Sequence, residues 1–419
     1  MPDTTTDIVI VGAGIGGLAA AATLRARGMR VTVLEQADRL GEIGAGLQIG
    51  PNASRVLYRL GLSDGLAGCA LHAQESVRRR WSTGEILTKT TLGAGATAKF
   101  GAPYLHLHRA DLHKLLLDAA TAPAGAGEPV RVEVASHVTG IDDSDPTRPA
   151  VLTHDGRTFP GDVIIGADGI NSRIRRASGG PTAIVDSGDM AYRTLIPADR
   201  AREDEATRWL FDWPAANFWL GDNRHVVVYP VRDMQYVNVV AVVPITDQVR
   251  STAKAEVPAE EMRQHYEGWD PRLTRLLGYS DDRVMAWALN YQEPFTPWST
   301  GHVALLGDAC HSMLPYFSQG ASQAIEDAAV IAEELAKAER GLQSIPSALS
   351  AYTERRAERA AAVQRGAVGN RALFHLPDGP EQRRRDERFR EHHKESDISF
   401  DWIYAGTPLD DETPLVTAG

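Results

Sequence analysis

Four groups of residues in this 419-residue chain have types and spacings that can do chemistry. The first is Gly12-x-Gly14-x-x-Gly17, followed by Glu35. In such a run the first glycine permits a tight turn, the second lets a pyrophosphate approach the backbone, and the third lets a helix pack closely on a strand. The helix N-terminus adds N–H donors and a positive dipole end. Glu35, at the end of the next strand, is placed to accept hydrogen bonds from ribose hydroxyls. The pattern predicts nucleotide binding and by itself does not separate FAD from NAD. The second group is Asp168-Gly169 within Ile164–Arg175, and the third is Gly307-Asp308-Ala309-Cys310-His311, with Pro315, Gln319-Gly320 and Glu326-Asp327 behind it. Each puts an Asp/Gly pair at the C-terminal end of a short apolar strand, the edge of an α/β sheet where ligands bind. Asp308 can accept from a ribityl hydroxyl, and the N–H groups opening the Gly320 helix can hold a flavin's polar edge. An isolated Asp-Gly is otherwise a plain strand-to-helix turn. The fourth group is Arg224–Pro230, a strand with His225, Val227 and Tyr229 on one face, since side chains alternate. A histidine near its ordinary pKa of ~6.5 can take a phenolic proton, and the tyrosine can bind the substrate or relay that proton. On residue type alone, a strand histidine is more often a packing or surface residue.

Other constellations carry less. His106, His108 and His113 are close in sequence, but the first two share a strand while His113 belongs to the next helix, and no carboxylate shell surrounds them. No metal site is expected. Cys310 beside His311 has the residue types of a thiol nucleophile pair, yet adjacent side chains point apart, so a structural role is expected. Arg193 reads equally as a partner for a substrate carboxylate and as an exposed strand arginine.

The elements that position these groups follow from hydropathy. Ile8–Val11 is β-branched and apolar, as in a parallel strand buried on both faces; Leu18–Arg27 is a helix ended by Gly28, and Arg30–Glu35 is a second strand. Gln74–Thr91 alternates around a Ser82-Thr83-Gly84 turn and predicts a hairpin. Arg109–Ala120 predicts an amphipathic helix, Thr121–Gly127 a loop and Val163–Gly166 a buried strand. Alternating strands are expected between Ala191 and Val243, with Tyr192, Leu210, Phe218, Val226, Val228 and Val239 as the alternating apolar positions. A last strand at His302–Leu306 leads to a helix over about Gln319–Glu339. Glu381–Glu395 is nearly charge-balanced and predicts a solvated helix. The chain thus leaves a parallel-sheet region twice and returns to it twice.

Composition bounds the rest. With 44 basic and 55 acidic side chains, the net charge of −11 disfavours attraction to a nucleic-acid backbone. Cys69 and Cys310 are too few for a disulfide framework or a four-cysteine zinc site. The N-terminus, with Asp3 and Asp7 before Ile8, shows no targeting pattern, and no apolar run approaches membrane-spanning length, so a cytoplasmic protein without membrane partners is expected.

The three ordered glycine/aspartate motifs resemble those of single-component flavin-dependent aromatic hydroxylases. Gly44–Ala53 and His108–His113 lie between them, and Asp401–Tyr404 follows near the end. The salicylate hydroxylase and 3-hydroxybenzoate 6-hydroxylase branch is the nearest likeness, and it covers nearly the whole chain. The resemblance implies an α/β fold in which a Rossmann-like FAD-binding domain is interleaved with an antiparallel-sheet substrate domain and followed by a helical C-terminal segment. The implied boundaries are residues 1–73, 101–183 and 283–365 for the first, 74–100 and 184–282 for the second, and 366–419 for the third. FAD contacts are implied at Gly12, Gly14, Ile15, Gly16, Gly17, Glu35, Gln36, Gly46, Leu47, Arg109, Val138, Gly307, Asp308, Pro315, Gly320 and Ala321, with Asp168 and Gly169 serving both FAD and NAD(P)H. A single glycine fingerprint suits such an enzyme, because NADH or NADPH binds only transiently.

In the 3-hydroxybenzoate and hydroxynicotinate branches a His-x-x-x-Tyr pair on the matching strand is the base and a substrate contact, which implies those roles for His225 and Tyr229. Where 3-hydroxybenzoate 6-hydroxylase has a catalytic glutamine, this chain has Pro315, which offers only its carbonyl, so that enzyme's regiochemistry does not transfer. The implied activity is hydroxylation of a small phenolic or aminoaromatic carboxylate, with decarboxylation where the attacked carbon bears the carboxylate, using NAD(P)H, O2 and a flavin C4a-hydroperoxide. The implied assembly is a monomer or homodimer. A tailoring hydroxylase or epoxidase for a larger natural product, and a non-catalytic flavin-binding sensor, are the alternatives; a halogenase lacks its Trp-x-Trp-x-Ile-Pro segment here.

Overall fold

The structure, a computed structural model, describes residues 5–41, 45–395 and 400–406. Asp3 and Gly44, and parts of the 366–419 segment, lie outside the described residues. Two large sheets organise the chain. The first has six strands in the order Ser299–Thr300, Val303–Leu305, Val163–Gly166, Asp7–Val11, Arg30–Leu34, Arg131–Glu133. All of its pairings are parallel except the terminal pair. Its interior strands are apolar because helices cover them: Ile15–Ala26 packs against Gly320–Glu339, and the strand residues share one core with both.

The second sheet has eight strands in the order Lys254–Pro258, Arg283–Tyr291, Val185–Pro197, Tyr236–Pro244, Arg224–Val231, Ala215–Gly221, Glu75–Arg80, Ile86–Thr91. The expected hairpin is its outer pair. The sheet is not wholly antiparallel, because Glu75–Arg80 comes from a distant part of the chain and joins Ala215–Gly221 in parallel. Arg283–Tyr291, grouped with the FAD-binding segments in the sequence reading, pairs antiparallel with Val185–Pro197 and Lys254–Pro258, so the change of sheet falls after residue 291 rather than at 283. The boundary placed at 365/366 falls inside the continuous helix Ile345–Phe374. Local hydropathy could show neither point, since strand partners and helix length are set by distant contacts.

Within the second sheet Val226, Val228 and Val239 face one core with Tyr192, while Phe218 joins Val227 and Tyr229 on the other face. Leu210 is not on a strand but on the short 3-10 helix Arg208–Phe211. The charged helix Pro380–Glu395 is not fully solvated. Gln382, Arg385, Asp386 and Phe389 form a buried face at helical spacing, where Arg385 donates to Asp386 (2.7 and 2.9 Å) and to the Leu373 carbonyl. Among the described residues no helix is long and apolar enough to cross a membrane.

Candidate active site

What a side chain would meet on the glycine loop separates the glycines that packing requires from the one that leaves room for a flavin nucleotide. Gly12 has φ +106° and a Cβ on it would lie 2.4 Å from the Ala167 carbonyl oxygen; one on Gly17 would lie 2.0 Å from that of Gly12. One on Gly14 would meet nothing within 4 Å. The first and third glycines are therefore required by protein packing, and the second opens onto the space in front of the Ile15–Ala26 helix, as a pyrophosphate requires. Gly16 packs the helix against Leu306 and Ala324, and Ile15 is buried in the core. The two kinds of glycine give opposite expectations. Gly14→Val will fold with unchanged circular dichroism but bind FAD at least about tenfold more weakly, whereas Gly17→Ala will lose stability as well. A Gly14→Val protein that purifies with full flavin content rejects the assignment.

Glu35 sits at the strand end with Oε2 accepting from Ala13 N and Oε1 from Ala37 N, both at 2.9 Å, which fixes the carboxylate beside the loop. Gln36 is exposed next to it, and Ser136 N donates to the Glu35 carbonyl, bringing the segment before Val138 alongside. At the other end of the cleft Asp308 opens outward beside the left-handed Gly307; surrounding protein raises its pKa, and His311 and Arg109 oppose the shift. Pro315 is exposed, and a Cβ on Gly320 would meet nothing within 4 Å, leaving the start of the Gly320–Glu339 helix and Ala321 open. Gly46 approaches the second sheet so closely that its N–H donates to Asn238 Oδ1 (2.7 Å) and a Cβ would strike that side chain; Leu47 follows on the same strand. The cradle fits FAD. Asp168 also has a use within the protein. Its oxygens accept from Ser172 Oγ (2.5 Å), Arg173 N (2.6 Å) and Ile174 N (3.2 Å), so its carboxylate caps the Arg173–Ala177 helix while the left-handed Gly169 stands clear.

Behind the Gly307 loop stands a buried charge network. Asp327 accepts from Gly307 N (3.1 Å) and Arg356 Nε (2.7 Å), and it pairs with His311 Nε2 (2.5 Å). Burial opposes ionisation of Asp327, but His311 and Arg356 more than offset it and hold its pKa below the usual carboxylate range. Arg356 also pairs with Glu326, which takes two further hydrogen bonds from Arg359. Cys310, His311 and Asp327 bring potential ligand atoms within 4.8 Å. Asp327 is committed to Arg356, however, and burial pushes the Cys310 thiol well up, leaving it protonated. The cysteine donates to the Gly307 carbonyl (3.4 Å), a structural contact.

The substrate side is built on the Arg224–Val231 strand. His225, Val227 and Tyr229 do share a face, and it packs toward Leu314, Tyr316 and Phe374. His225 is 3% exposed; its Nδ1 lies 2.9 Å from His375 Nε2. Burial, aided by His375, holds its pKa well below the ordinary value, so the ring is neutral. His375 Nδ1 is 3.8 Å from Asp189, and Asp189 accepts from Tyr316 Oη (2.5 Å) and from Arg371 (2.6 and 2.8 Å). His375 thus stands between His225, which it meets at hydrogen-bond distance, and Asp189, 3.8 Å away and held by the partly exposed Arg371. Burial strongly raises the Tyr229 pKa, with Arg193 and Gln48 opposing; the His106 ring lies 4.7 Å away, and Gln48 Oε1 accepts from Tyr104 Oη at 2.8 Å. His106 is itself neutral, its pKa lowered to about 3 by burial, and neither ring nitrogen has a partner. His108 caps the Arg109–Thr121 helix and His113 Nε2 meets the Ala13 carbonyl at 2.8 Å, so the three histidines have separate uses.

A pocket between the sheets is lined by Gln48, Arg78, Tyr104, Phe218, Tyr316 and Tyr404, among others. Sequence reasoning missed most of these. Pro315 marks the right loop, but the group that loop sends to the second sheet is its neighbour Tyr316. His375 and Arg371 lie at the end of the Ile345–Phe374 helix, where no motif announces them. Arg193 is half-buried, with Nε lacking a partner and its guanidinium 5.8 Å from the Trp287 ring; it lies beside Tyr229 and Arg109.

The chain matches the family described as "FAD binding domain" over residues 5–367. It is 37% identical over 397 residues to a 3-amino-4-hydroxybenzoate 2-monooxygenase, PtmB3, of Streptomyces platensis, covering 95% of each chain. It is 36% identical over 364 residues to a 6-hydroxynicotinate 3-monooxygenase of Pseudomonas fluorescens, covering 85% of this chain and 89% of that one. Among solved structures, Klebsiella pneumoniae HpxO complexed with FAD and uric acid superposes with a TM-score of 0.81 at 25% identity, over 96% of this chain and 97% of that one.

Proposed function

The chain belongs to the FAD binding domain family and is an FAD-dependent monooxygenase, and from that premise we propose that it hydroxylates a single-ring phenolic or aminoaromatic carboxylate, with His225 as the base. One observation carries the reading of the base: a neutral, buried histidine faces the substrate side with its Nδ1 already held by His375. Nε2 is then the nitrogen free to accept the phenolic proton, which increases electron density on the ring carbon to be attacked.

Bound FAD would supply reduction by NAD(P)H and activation of O2, so that substrate, O2, NAD(P)H and a proton give hydroxylated product, NAD(P)+ and water. The loop at Gly12–Gly17, Glu35, Asp308 and the Gly320 helix start would hold it. The protein's own tasks are then three. His225 takes the proton at Nε2 and can pass one from Nδ1 toward His375. Tyr229 orients the ring. Phe218, Tyr316, Phe317 and Tyr404 close the pocket against water. The names of the relatives support a carboxylated, hydroxylated or amino-substituted six-membered ring.

The test is a panel of hydroxybenzoates, aminohydroxybenzoates and hydroxynicotinates, scored for stimulated NAD(P)H oxidation and for oxygenated product. At least one aromatic carboxylate is expected to stimulate oxidation tenfold or more, a change of about 1.4 kcal/mol. If none does, the substrate class is wrong.

A further inference from the structure

An aromatic carboxylate in this pocket needs a cation, because a carboxylate stripped of water is costly unless paired. Arg78 is 6% exposed, and its guanidinium makes one hydrogen bond, from Nη1 to Ser76 Oγ at 3.2 Å. Among the described residues no carboxylate acts on it; the charged or polar groups it feels are Tyr404 and Tyr104, while burial, the larger influence, lowers its pKa. Phe218 and Phe400 hold it between their rings, 5.5 and 5.8 Å away.

Other deeply buried arginines are held by several acceptors: Arg25 donates to the carbonyls of Ala119, Ala120, Ala122 and Ala124, and Arg79 to Asn217 Oδ1 and the Gly84 carbonyl. Arg356 has Glu326 and Asp327, Arg385 has Asp386, and Arg175 donates to the carbonyls of Ala309, Ile170 and Pro181. Arg78 is different because its remaining N–H groups border the pocket.

Strand register places it relative to the base. Arg78 lies opposite Phe218, which lies opposite Val227, the residue between His225 and Tyr229. Arg78 and Val227 are therefore two strand spacings apart, roughly 10 Å between Cα atoms. His225 does not itself line the pocket, but Tyr316, whose ring lies 5.1 Å from that of His225, does, so a single ring with its carboxylate at Arg78 has its far end toward His225. The same row continues through Val240 to Arg193, a second cation. Arg193 stands outside the pocket lining, with its guanidinium 5.8 Å from the Trp287 ring.

We infer that Arg78 is the subsite for the substrate's carboxylate, an inference that rests on the hydroxylase reading for the identity of the ligand. It therefore selects aromatic acids over neutral phenols of the same shape.

The experiment uses the FAD-loaded enzyme and two probes of nearly equal shape, benzoate and benzamide, titrated by calorimetry. Neither carries a hydroxyl, so binding is read without turnover. The wild type is expected to prefer benzoate by about 10- to 100-fold, the range for a hydrogen bond to a charged group. Arg78→Met is expected to erase that preference, Arg78→Lys to keep part of it, and Arg193→Met to keep it all, with flavin content and melting temperature confirming that each variant is folded. A wild type with no preference, or a preference that survives Arg78→Met or disappears in Arg193→Met, overturns the inference. Should Arg78→Met not fold, Arg78→Gln, which keeps donors but removes the charge, takes its place, and a benzoate preference that survives it in full overturns the inference equally. Failure of the hydroxylase reading shows itself separately, as absent NAD(P)H stimulation by hydroxylated carboxylates while the benzoate result stands.

Discussion

Replacing His225 with asparagine lowers the rate of ring hydroxylation by about 100- to 10,000-fold, the usual contribution of a general base, while flavin content is retained. The physical reason lies in the neutrality of the imidazole. Burial and the neighbouring His375 depress the His225 pKa, so the ring is unprotonated through the neutral range and able to accept a proton. The sign of the pH dependence follows. A base with a lowered pKa is competent above that pKa and fails as pH falls through it, so the acid limb of kcat/KM lies below pH ~6.5. In His225→Asn that limb is absent.

His375→Asn separates positioning from packing. Its replacement removes the ring nitrogen that holds His225 Nδ1, so the acid limb shifts while the limiting rate at high pH falls less than in His225→Asn. His375 has its own pKa lowered to about 4, by burial first and Arg371 in addition, against the pull of Asp189, so it too is neutral and able to serve as the partner of His225. Product formation measured from pH 5 to 9 decides the matter. Unchanged hydroxylation in His225→Asn, or an acid limb that does not move in His375→Asn, sinks the respective role.

Arg356→Met costs about 3–5 kcal/mol of stability and releases flavin, because removing one partner of a buried ion network leaves uncompensated charge. Arg356 is 0% exposed and serves Glu326, Asp327 and Gln323 at once. Glu326 retains Arg359, but Asp327 keeps only His311 and the Gly307 amide. Since that amide anchors the turn that presents Asp308, the loss is expected in the cofactor cleft as well as in the core. Arg365→Met, on the same helix but in an exposed pair with Glu358, is the control and shifts stability by no more than about 1 kcal/mol. Urea unfolding and the flavin-to-protein ratio of the purified variants check both. Equal midpoints for the two variants would show that the network carries no net stabilisation.

The three glycine/aspartate motifs, the helix over Arg109–Thr121 and the strand over Val163–Gly166 were legible in the chain because short-range sterics and periodicity dictate them. A turn at positive φ where a Cβ would lie 2.4 Å from a carbonyl oxygen admits only glycine, and that demand is written at one position, Gly12. The alternation that puts His225 and Tyr229 on one face is equally local. Other features needed the assembled molecule. The Arg283–Tyr291 strand is apolar from Val284 to Leu289 whichever sheet it joins, and only pairing with Val185–Pro197 and Lys254–Pro258 assigns it. Arg78, Tyr104, Tyr316 and Tyr404 come from four separated segments, and of these only Tyr404 stands in a segment singled out from the sequence. Asp168 has the residue type of a cofactor ligand, but the direction of its carboxylate depends on the helix that starts five residues later.

The amino-acid sequence alone determined the glycine loop and the strand face that carries His225 and Tyr229, since both depend on neighbours a few residues apart. The tertiary structure decided what surrounds His225 and the pocket: which histidine holds the His225 Nδ1, which tyrosines line the pocket, and which buried arginine borders it. Those are matters of sheet register and helix docking, and they bring together side chains that no local spacing relates.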